Sequence, residues 1–309
     1  MKPVMKTLLK TLCIYHGGCT DGFAAAWAVR AALGAAVEFY PGVHQQAPPD
    51  VAGRDVVLVD FSYKRPVLDR MAETARSIVV LDHHISAAED LAGYPEPPPR
   101  SPSSPSSRPS RPSPPSDSTD QPPPQTWALF DMQRSGAGIA WDFYHDAPRP
   151  KLIDHIEDGD LWRFKLDGTR EIHAAVSSYP HDFSVWDRLM AMPPDQLKGE
   201  GAVLERKQAK DIDDLLPETQ RRMIIDGHNV PVANLPGTMS SDAGHRMAQG
   251  EPFAACYMDG PQGRSFSLRS SDDGEDVAAI AKKFGGGGHK QAAGFRVSFT
   301  KAAAFEIKD

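Results

Sequence analysis

Asp82, His83 and His84 stand in a row at the end of the apolar run SIVVL. Carboxylate oxygens and imidazole nitrogens are the common protein ligands of divalent ions. Two other apolar runs end in the same way. TLCIY (11–15) runs into His16, and DVVLV (55–59) runs into Asp60. Asp21 follows a few residues after His16, in the turn HGGCTDG. One acid after a strand is ordinarily a helix cap. Three strands that all end in metal-binding side chains point to a shared site. Carboxylates mixed with imidazole favour Mn²⁺, with Mg²⁺ as the alternative and Zn²⁺ less suited. Several carboxylates meeting at one place repel each other unless a cation lies among them. Two ions sharing a bridging carboxylate can hold a water, lower its pKa and stabilise charge on a phosphate under attack.

Such a site needs elements that bring the strand ends together. The three runs are β-branched and nearly continuous in apolar residues, as in parallel strands buried on both faces. VEFY (37–40) is a fourth candidate. DGFAAAWAVRAALG (21–34) reads as a helix stopped by glycine, and RPVLDRMAETARS (65–77) as a helix with proline near its start. Alternating strands and helices imply an open parallel α/β sheet, and in such sheets ligands bind at the carboxyl ends of the strands. Further on, SGAGIAWDFYH (135–145) reads as a helix capped by Ser135, and KLIDHIEDGDLW (151–162) as another.

Between 95 and 124 the composition changes. Thirteen prolines and nine serines fill the segment, with almost no large apolar residues. Such a stretch cannot bury enough surface to offset its ordering entropy, so it is expected to be a disordered insertion in the first domain. A polar helical connector, broken at Pro217, is expected over 196–225. It divides a first domain (1–195) from a smaller α+β domain (226–309) with strands near 230–235, 252–258, 265–270 and 292–299. A helix at 276–284 and the glycine loop GGGGH (285–289) complete that domain. A cleft between the two domains is expected.

The 309 residues are 40% hydrophobic and 24% charged, a globular composition. The net charge of -7 argues against wrapping long duplexes, but not against a pocket for a short phosphorylated ligand. Three irregularly spaced cysteines (Cys13, Cys19, Cys256) suit a reducing compartment. The basic, then apolar N-terminus contains Lys10 and no small-residue cleavage site, so no signal peptide is read there. No apolar run is long enough to span a bilayer. The cytoplasm and no membrane partner are expected, and homo-oligomerisation is left open.

The DHH triplet, the HGGCTDG turn and the intervening VVLVD resemble the DHH phosphoesterase superfamily. FGGGGHKQAAGF, near the C-terminus, is similar to its glycine-rich DHH-associated domain, found in RecJ-like nucleases and in nanoRNases that also dephosphorylate pAp. The resemblance spans nearly the whole chain except the proline-rich segment. It implies a phosphoesterase with two metal ions, expected to be Mn²⁺. His16 and Asp21 would each serve one ion, Asp60 would bridge them, and His83 would bind metal. Asp82 would support the ligands and His84 would contact the substrate phosphate, the two acting as catalytic residues. A further Asp is expected from IEDGDLWRF, which offers Asp154, Asp158 and Asp160. Asp158 is favoured because aromatics follow it at Trp162 and Phe164, leaving Asp160 exposed or capping a turn. Many relatives carry a second acid two residues before the position of Asp21. Here that position is Cys19, either a softer ligand or a bystander.

In the second domain, successive glycine N–H groups can form an anion nest. The resemblance implies that Gly286, Gly287, Gly288 and His289 hold a phosphate or terminal nucleotide. Arg269 is either a second phosphate contact or an ordinary surface residue. Trp162 and Phe164 could stack on a base, with core packing the favoured use. His44, His155, His173 and His245 are read as structural. The expected substrates are short single-stranded oligonucleotides or nucleotides. The alternatives are a RecJ-type single-strand exonuclease, or a nucleotide-binding module whose catalysis Cys19 has impaired.

Overall fold

The run TLCIYH forms β1 (Thr11–His16), and its alternate residues go to different cores. Leu12 and Ile14 pack on one side of the sheet, Cys13 on the other. β3 (Asp55–Val59) divides in the same way. Val56 and Leu58 join the first core, Val57 and Val59 the second. β4 (Ser77–Asp82) follows with Ile78 and Val80 against Val79 and Leu81. Apolar layers on both faces explain why these strands show no polar alternation. The computed structural model describes residues 11–98 and 126–307.

With β2 (Val37–Gly42) and β5 (Thr126–Phe130) these strands make a wholly parallel sheet in the order β2-β1-β3-β4-β5. The chain runs outward from β1 in both directions, so the order reverses between β1 and β3. Ligands bind at such switch points, in the crevice beyond the carboxyl ends. The α/β class expected from sequence is therefore found, with β5 added. Its sequence, TWALF, follows the proline-rich segment and has lost the local context that marks a strand. The Pro95 carbonyl accepts from Ala128 N at 3.0 Å, which ties the start of that segment to β5. The expected disorder of the insertion falls on residues 99–125, outside the described residues.

The helix α1 (Thr20–Leu33) buries its alanines against the second core and stops at Gly34, whose φ of 68° suits glycine. On the other face lies α2 (Arg65–Ala72), which ends earlier than the sequence suggests, and α3 (Ile85–Asp90) follows β4. After β5 come α4 (Gly136–Tyr144), α5 (Lys151–Asp160), α6 (Thr169–Ser177) and α7 (Phe183–Ala191). Ser135 Oγ accepts from Gly138 N at 3.2 Å and caps α4, as expected. α8 (Pro194–Thr219) is one helix. The break expected at Pro217 does not occur at that residue: the helix runs through the proline and ends two residues later, at Thr219. Contacts divide the chain into two units, Met1–Ala202 and Val203–Asp309, so the division falls inside α8.

The second unit contains β6 (Gln220–Ile225), β7 (His228–Asn234), α9 (Ser240–Met247), β8 (Ala254–Gly260), β9 (Gly263–Arg269), α10 (Val277–Lys283), β10 (Gly287–His289) and β11 (Ala292–Val297). Its mixed sheet has the order β10-β11-β9-β8-β7-β6, with only β7 and β8 parallel. The glycine run is not simply a loop. Gly287 pairs with Gly294, Gly288 with Ala293 and His289 with Ala292. A Cβ on Gly286 would lie 2.0 Å from the Gly294 carbonyl, and one on Gly288 would lie 2.5 Å from that of Ala292. These glycines let two strands approach more closely than side chains allow.

Candidate metal centre

β1 ends in His16, and the turn after it folds back tightly. Gly18 has φ 74°, and a Cβ on Gly22 would lie 2.5 Å from the His16 carbonyl. Only a bare Cα lets the first turn of α1 rest on the end of β1. That contact carries Cys19 and Asp21 to the side of His16. Asp60 follows β3 with φ 52°, a left-handed conformation that Asp tolerates better than most residues. β4 ends in Asp82, and His83 and His84 follow before α3. The start of α4 closes in from another side. A Cβ on Gly136 would stand 2.4 Å from Asp60 Cβ and 2.8 Å from Asp21 Oδ2.

Asp21, Asp60, Asp82 and His83 are all at most 2% exposed. His83 Nε2 lies 3.0 Å from Asp60 Oδ1, 3.6 Å from Asp160 Oδ2 and 3.9 Å from Asp21 Oδ2. His16 Nδ1 is 3.4 Å from Asp60 Oδ2. Asp82 Oδ1 accepts from His83 N at 2.8 Å and pairs with His84 Nδ1 at 2.7 Å. Asp21 Oδ1 accepts from Ala137 N at 3.1 Å, at the start of α4. Among the described residues of the first unit, three groups have their candidate ligand atoms within 4.8 Å of one another: His16, Cys19 and Asp60; Asp21, His83 and Asp160; and Asp60, Asp82, His83 and His84. Asp60 belongs to the first and the third, and its Oδ1 faces the His83 of the second.

The electrostatics suit a bound cation. Burial pushes the Asp21 carboxyl up, and the charges of Asp60 and Asp160 push it further. Burial also works against ionised Asp60, but the nearby His16 and the His83 hydrogen bond outweigh it and hold the group well below the usual range. Burial favours neutral His83, yet the Asp60 hydrogen bond and the charges of Asp160, Asp60 and Asp21 raise it to about 11. A proton on His83 thus stands where the carboxylates call for positive charge. His84 is raised as well, because the charge and hydrogen bond of Asp82 overcome its burial. Oδ2 of Asp21, of Asp60 and of Asp82 are buried with no hydrogen-bonded partner. Buried carboxylate oxygens left in this way are costly unless a cation takes them. Ligand atoms around one small ion stand roughly 3–4 Å apart, so these groups need only small shifts to hold one.

Of the residues singled out from sequence, His16, Cys19, Asp21, Asp60, Asp82, His83 and His84 come together. Asp158 does not. Its carboxylate accepts from Lys165 N at 2.9 Å, Leu166 N at 3.0 Å and the Thr169 hydroxyl at 2.7 Å. Its carbonyl accepts from Arg163 N and Phe164 N. Asp158 therefore cinches the turn after α5, and Asp160 is the acid that turn presents to His83 and Asp21. Within this turn Trp162 (φ 54°) and Phe164 (φ 47°) are left-handed, rare for bulky residues. Their rings meet edge-on at 4.8 Å, and the Arg170 guanidinium lies 3.7 Å from the Phe164 centroid. Neither aromatic joins a hydrophobic core, contrary to the favoured expectation.

In the second unit, the Arg269 guanidinium donates to the Leu268 carbonyl and to Ser241 Oγ, each at 2.8 Å. Gly287, Gly288 and His289 lie in the β10–β11 pairing, while Gly286 packs on Gly294 and Phe295. Asp160, offered but not favoured from sequence, and His44, read as structural, also stand here; the His44 ring is 5.2 Å from that of His16. Burial, with the charges of His16 and His84, lowers it to about 4. His44 follows the carboxyl end of β2, so the signal that found His16 and Asp60 was there to find it.

No family model matches the chain. The uncharacterized protein R106 of Acanthamoeba polyphaga mimivirus is 27% identical over 318 residues, covering 93% of this chain and 68% of that protein. Among solved structures, RecJ from Thermus thermophilus in complex with Mn²⁺ is similar, with a TM-score of 0.49 and 15% identity. That match covers 96% of this chain and 51% of RecJ. The pGpG-specific phosphodiesterase PggH from Vibrio cholerae matches with a TM-score of 0.47 and 14% identity over 95% of each chain. An uncharacterized protein from Helicobacter pylori G27 matches with a TM-score of 0.38 and 13% identity over 93% of each.

Proposed function

We propose that this chain is a metal-dependent phosphoesterase that hydrolyses a phosphate ester of short oligonucleotides or nucleotides. One observation carries the reading. Four carboxylates and three imidazoles, on segments far apart in sequence, converge beyond the carboxyl ends of β1, β3 and β4, and three carboxylate oxygens there are buried without a hydrogen bond. His16, Asp60, Asp21, His83 and Asp160 would hold two divalent ions, and the carboxylate-rich group of Asp21, His83 and Asp160 suits Mn²⁺ first and Mg²⁺ second. When bound, such ions supply an activated water and neutralise charge on a phosphoryl group. Asp60 stands between the two ligand groups and is locked by the turn after β3. Asp82 orients the His84 imidazole, which is suited to donate to a phosphate oxygen. Asp82 also accepts from His83 N, which steadies the backbone that carries His83. Gly136 and Gly22 let α4 and α1 lie against the ligands, keeping the acids dry and the distances short.

Arg269 and the run Gly286–His289 are the substrate contacts proposed for the second unit, where Arg269 suits a phosphate. The net charge of -7 favours short substrates over long duplexes. The test is a panel of pAp, a linear dinucleotide and a five-nucleotide RNA, offered with Mn²⁺ to the protein and to His83→Ala. Hydrolysis of at least one member by the protein, lost in the variant, is expected. If no member is cleaved although the ions bind, the enzyme reading fails.

A further inference from the structure

The two ligand groups differ in one atom type. Asp21, His83 and Asp160 offer two carboxylates and an imidazole, while His16, Cys19 and Asp60 offer an imidazole, a thiol and a carboxylate. Resting on the metal-centre reading above, we infer that the two ion positions are chemically unequal: the His16–Cys19–Asp60 position takes a thiolate-preferring ion of the Zn²⁺ type, and the Asp21–His83–Asp160 position takes a hard ion such as Mn²⁺.

Cys19 has no strong structural role besides this position. It precedes the first turn of α1, where Ser, Thr, Asp or Asn would cap the helix, and its thiol has only a weak backbone contact there, with Gly22 N. It is only partly buried and belongs to no hydrophobic core, whereas Cys13 and Cys256 are buried core residues on strands. The turn that carries it is held against β1 by Gly17 and Gly22. A Cβ on Gly17 would lie 3.0 Å from the Gly42 carbonyl, and one on Gly22 would strike His16. The position of the thiol beside His16 and Asp60 is thus fixed by backbone packing. An independent observation points to an ion at the same place. Asp60, 2% exposed, has its Oδ2 facing His16 Nδ1 at 3.4 Å without forming a hydrogen bond.

Thiolate, imidazole and carboxylate are all donors that zinc takes, and three protein ligands leave the fourth tetrahedral position for water or substrate. A thiolate in the set shifts preference from Mn²⁺ and Mg²⁺ towards softer ions, and two carboxylates with one imidazole do the reverse. Binding exchanges one proton for one metal–sulfur bond. The S–H bond breaks, its electron pair goes to the ion, and the proton leaves to solvent.

The test uses the full chain, stripped with a chelator and titrated with Co²⁺ while metal content and near-ultraviolet absorption are followed. The protein should bind Co²⁺ with an intense thiolate-to-cobalt charge-transfer band. Cys19→Ser and Cys19→Asp should lack the band while still binding Co²⁺ at the other position. In competition between Zn²⁺ and Mn²⁺, Cys19→Asp should shift one position towards Mn²⁺ by roughly ten- to a hundredfold relative to the unsubstituted chain. If the unsubstituted chain binds Co²⁺ without the band, the inference is overturned and the metal centre stands. If it binds none of Co²⁺, Zn²⁺ or Mn²⁺, both fall. The unsubstituted chain alone decides the main point, so poor folding of a variant does not blur the result.

Discussion

Asp158 and Asp160 sit two residues apart at the end of α5, and they stand in opposite surroundings. Asp158 is 5% exposed and accepts two backbone N–H groups and the Thr169 hydroxyl. Hydrogen bonds to a charged group contribute about 1.5–3 kcal/mol each, and buried groups left unpaired cost about 1–3 kcal/mol. Lys165 and Leu166 are exposed, so water can recover part of that loss, whereas Thr169 is buried. Asp158→Ala should therefore destabilise the first unit by about 2–4 kcal/mol. At ~2–4 °C per kcal/mol for a unit of this size, Tm should fall by roughly 5–15 °C. Asp160 is different. Its side chain is 25% exposed, and it lies among acids it repels, with His83 at 3.6 Å as its counter-charge. Asp160→Asn should leave stability within about 0.5 kcal/mol of the original chain or raise it slightly. As a proposed ligand it should cost about a hundredfold or more in phosphoesterase rate, which is ~2.7 kcal/mol of transition-state stabilisation. Thermal melts of the stripped proteins and hydrolysis with added Mn²⁺ read both effects. The assignment is refuted if Asp158→Ala loses ion binding at unchanged Tm while Asp160→Asn keeps full activity.

Three further outcomes follow from the same geometry. Gly136→Ala places a methyl against Asp60 and Asp21. It should weaken ion binding measured by calorimetry at least tenfold, and unchanged affinity would contradict the close approach of α4. Chelation should abolish hydrolysis and Mn²⁺ restore it, and saturating ion should raise Tm, since it binds only the folded chain. A Tm indifferent to the ion counts against the centre. Burial works against ionised Asp142, but hydrogen bonds from Arg149 and Arg134 hold its carboxyl below the usual range. A depressed acid stabilises above its unfolded pKa, and that stability is lost as pH falls through the folded value. Asp142→Asn should therefore lower Tm at neutral pH and converge with the unsubstituted chain in acid. A constant difference across the range would show that charge is not the cause.

The parallel strands were legible because burial on both faces writes itself as uninterrupted Val, Ile and Leu. The candidate ligands at their ends were legible because each follows such a run directly. The choice between Asp158 and Asp160 was not, since it depends on the left-handed turn at Trp162 and Phe164, and no local pattern announces a positive φ on an aromatic residue. The strand at Gly287–His289 was hidden for a related reason. Glycine has little intrinsic tendency to form strands, and here it is used for close approach to β11. Pro217 was over-read: the helix carries it and stops two residues after it, so the proline stands near the helix's end and not at a break within it.

The proposed ligands also set an order of events. His16 ends β1, and Asp160 is presented only when α5 has docked and its turn has closed. No short segment carries more than a fragment of either ion position, so a nascent or partly folded chain has little to offer a divalent ion. Ion capture should then follow folding of the first unit instead of guiding it. Stopped-flow refolding with and without Mn²⁺ should show equal folding rates, with the ion changing only the rate of unfolding.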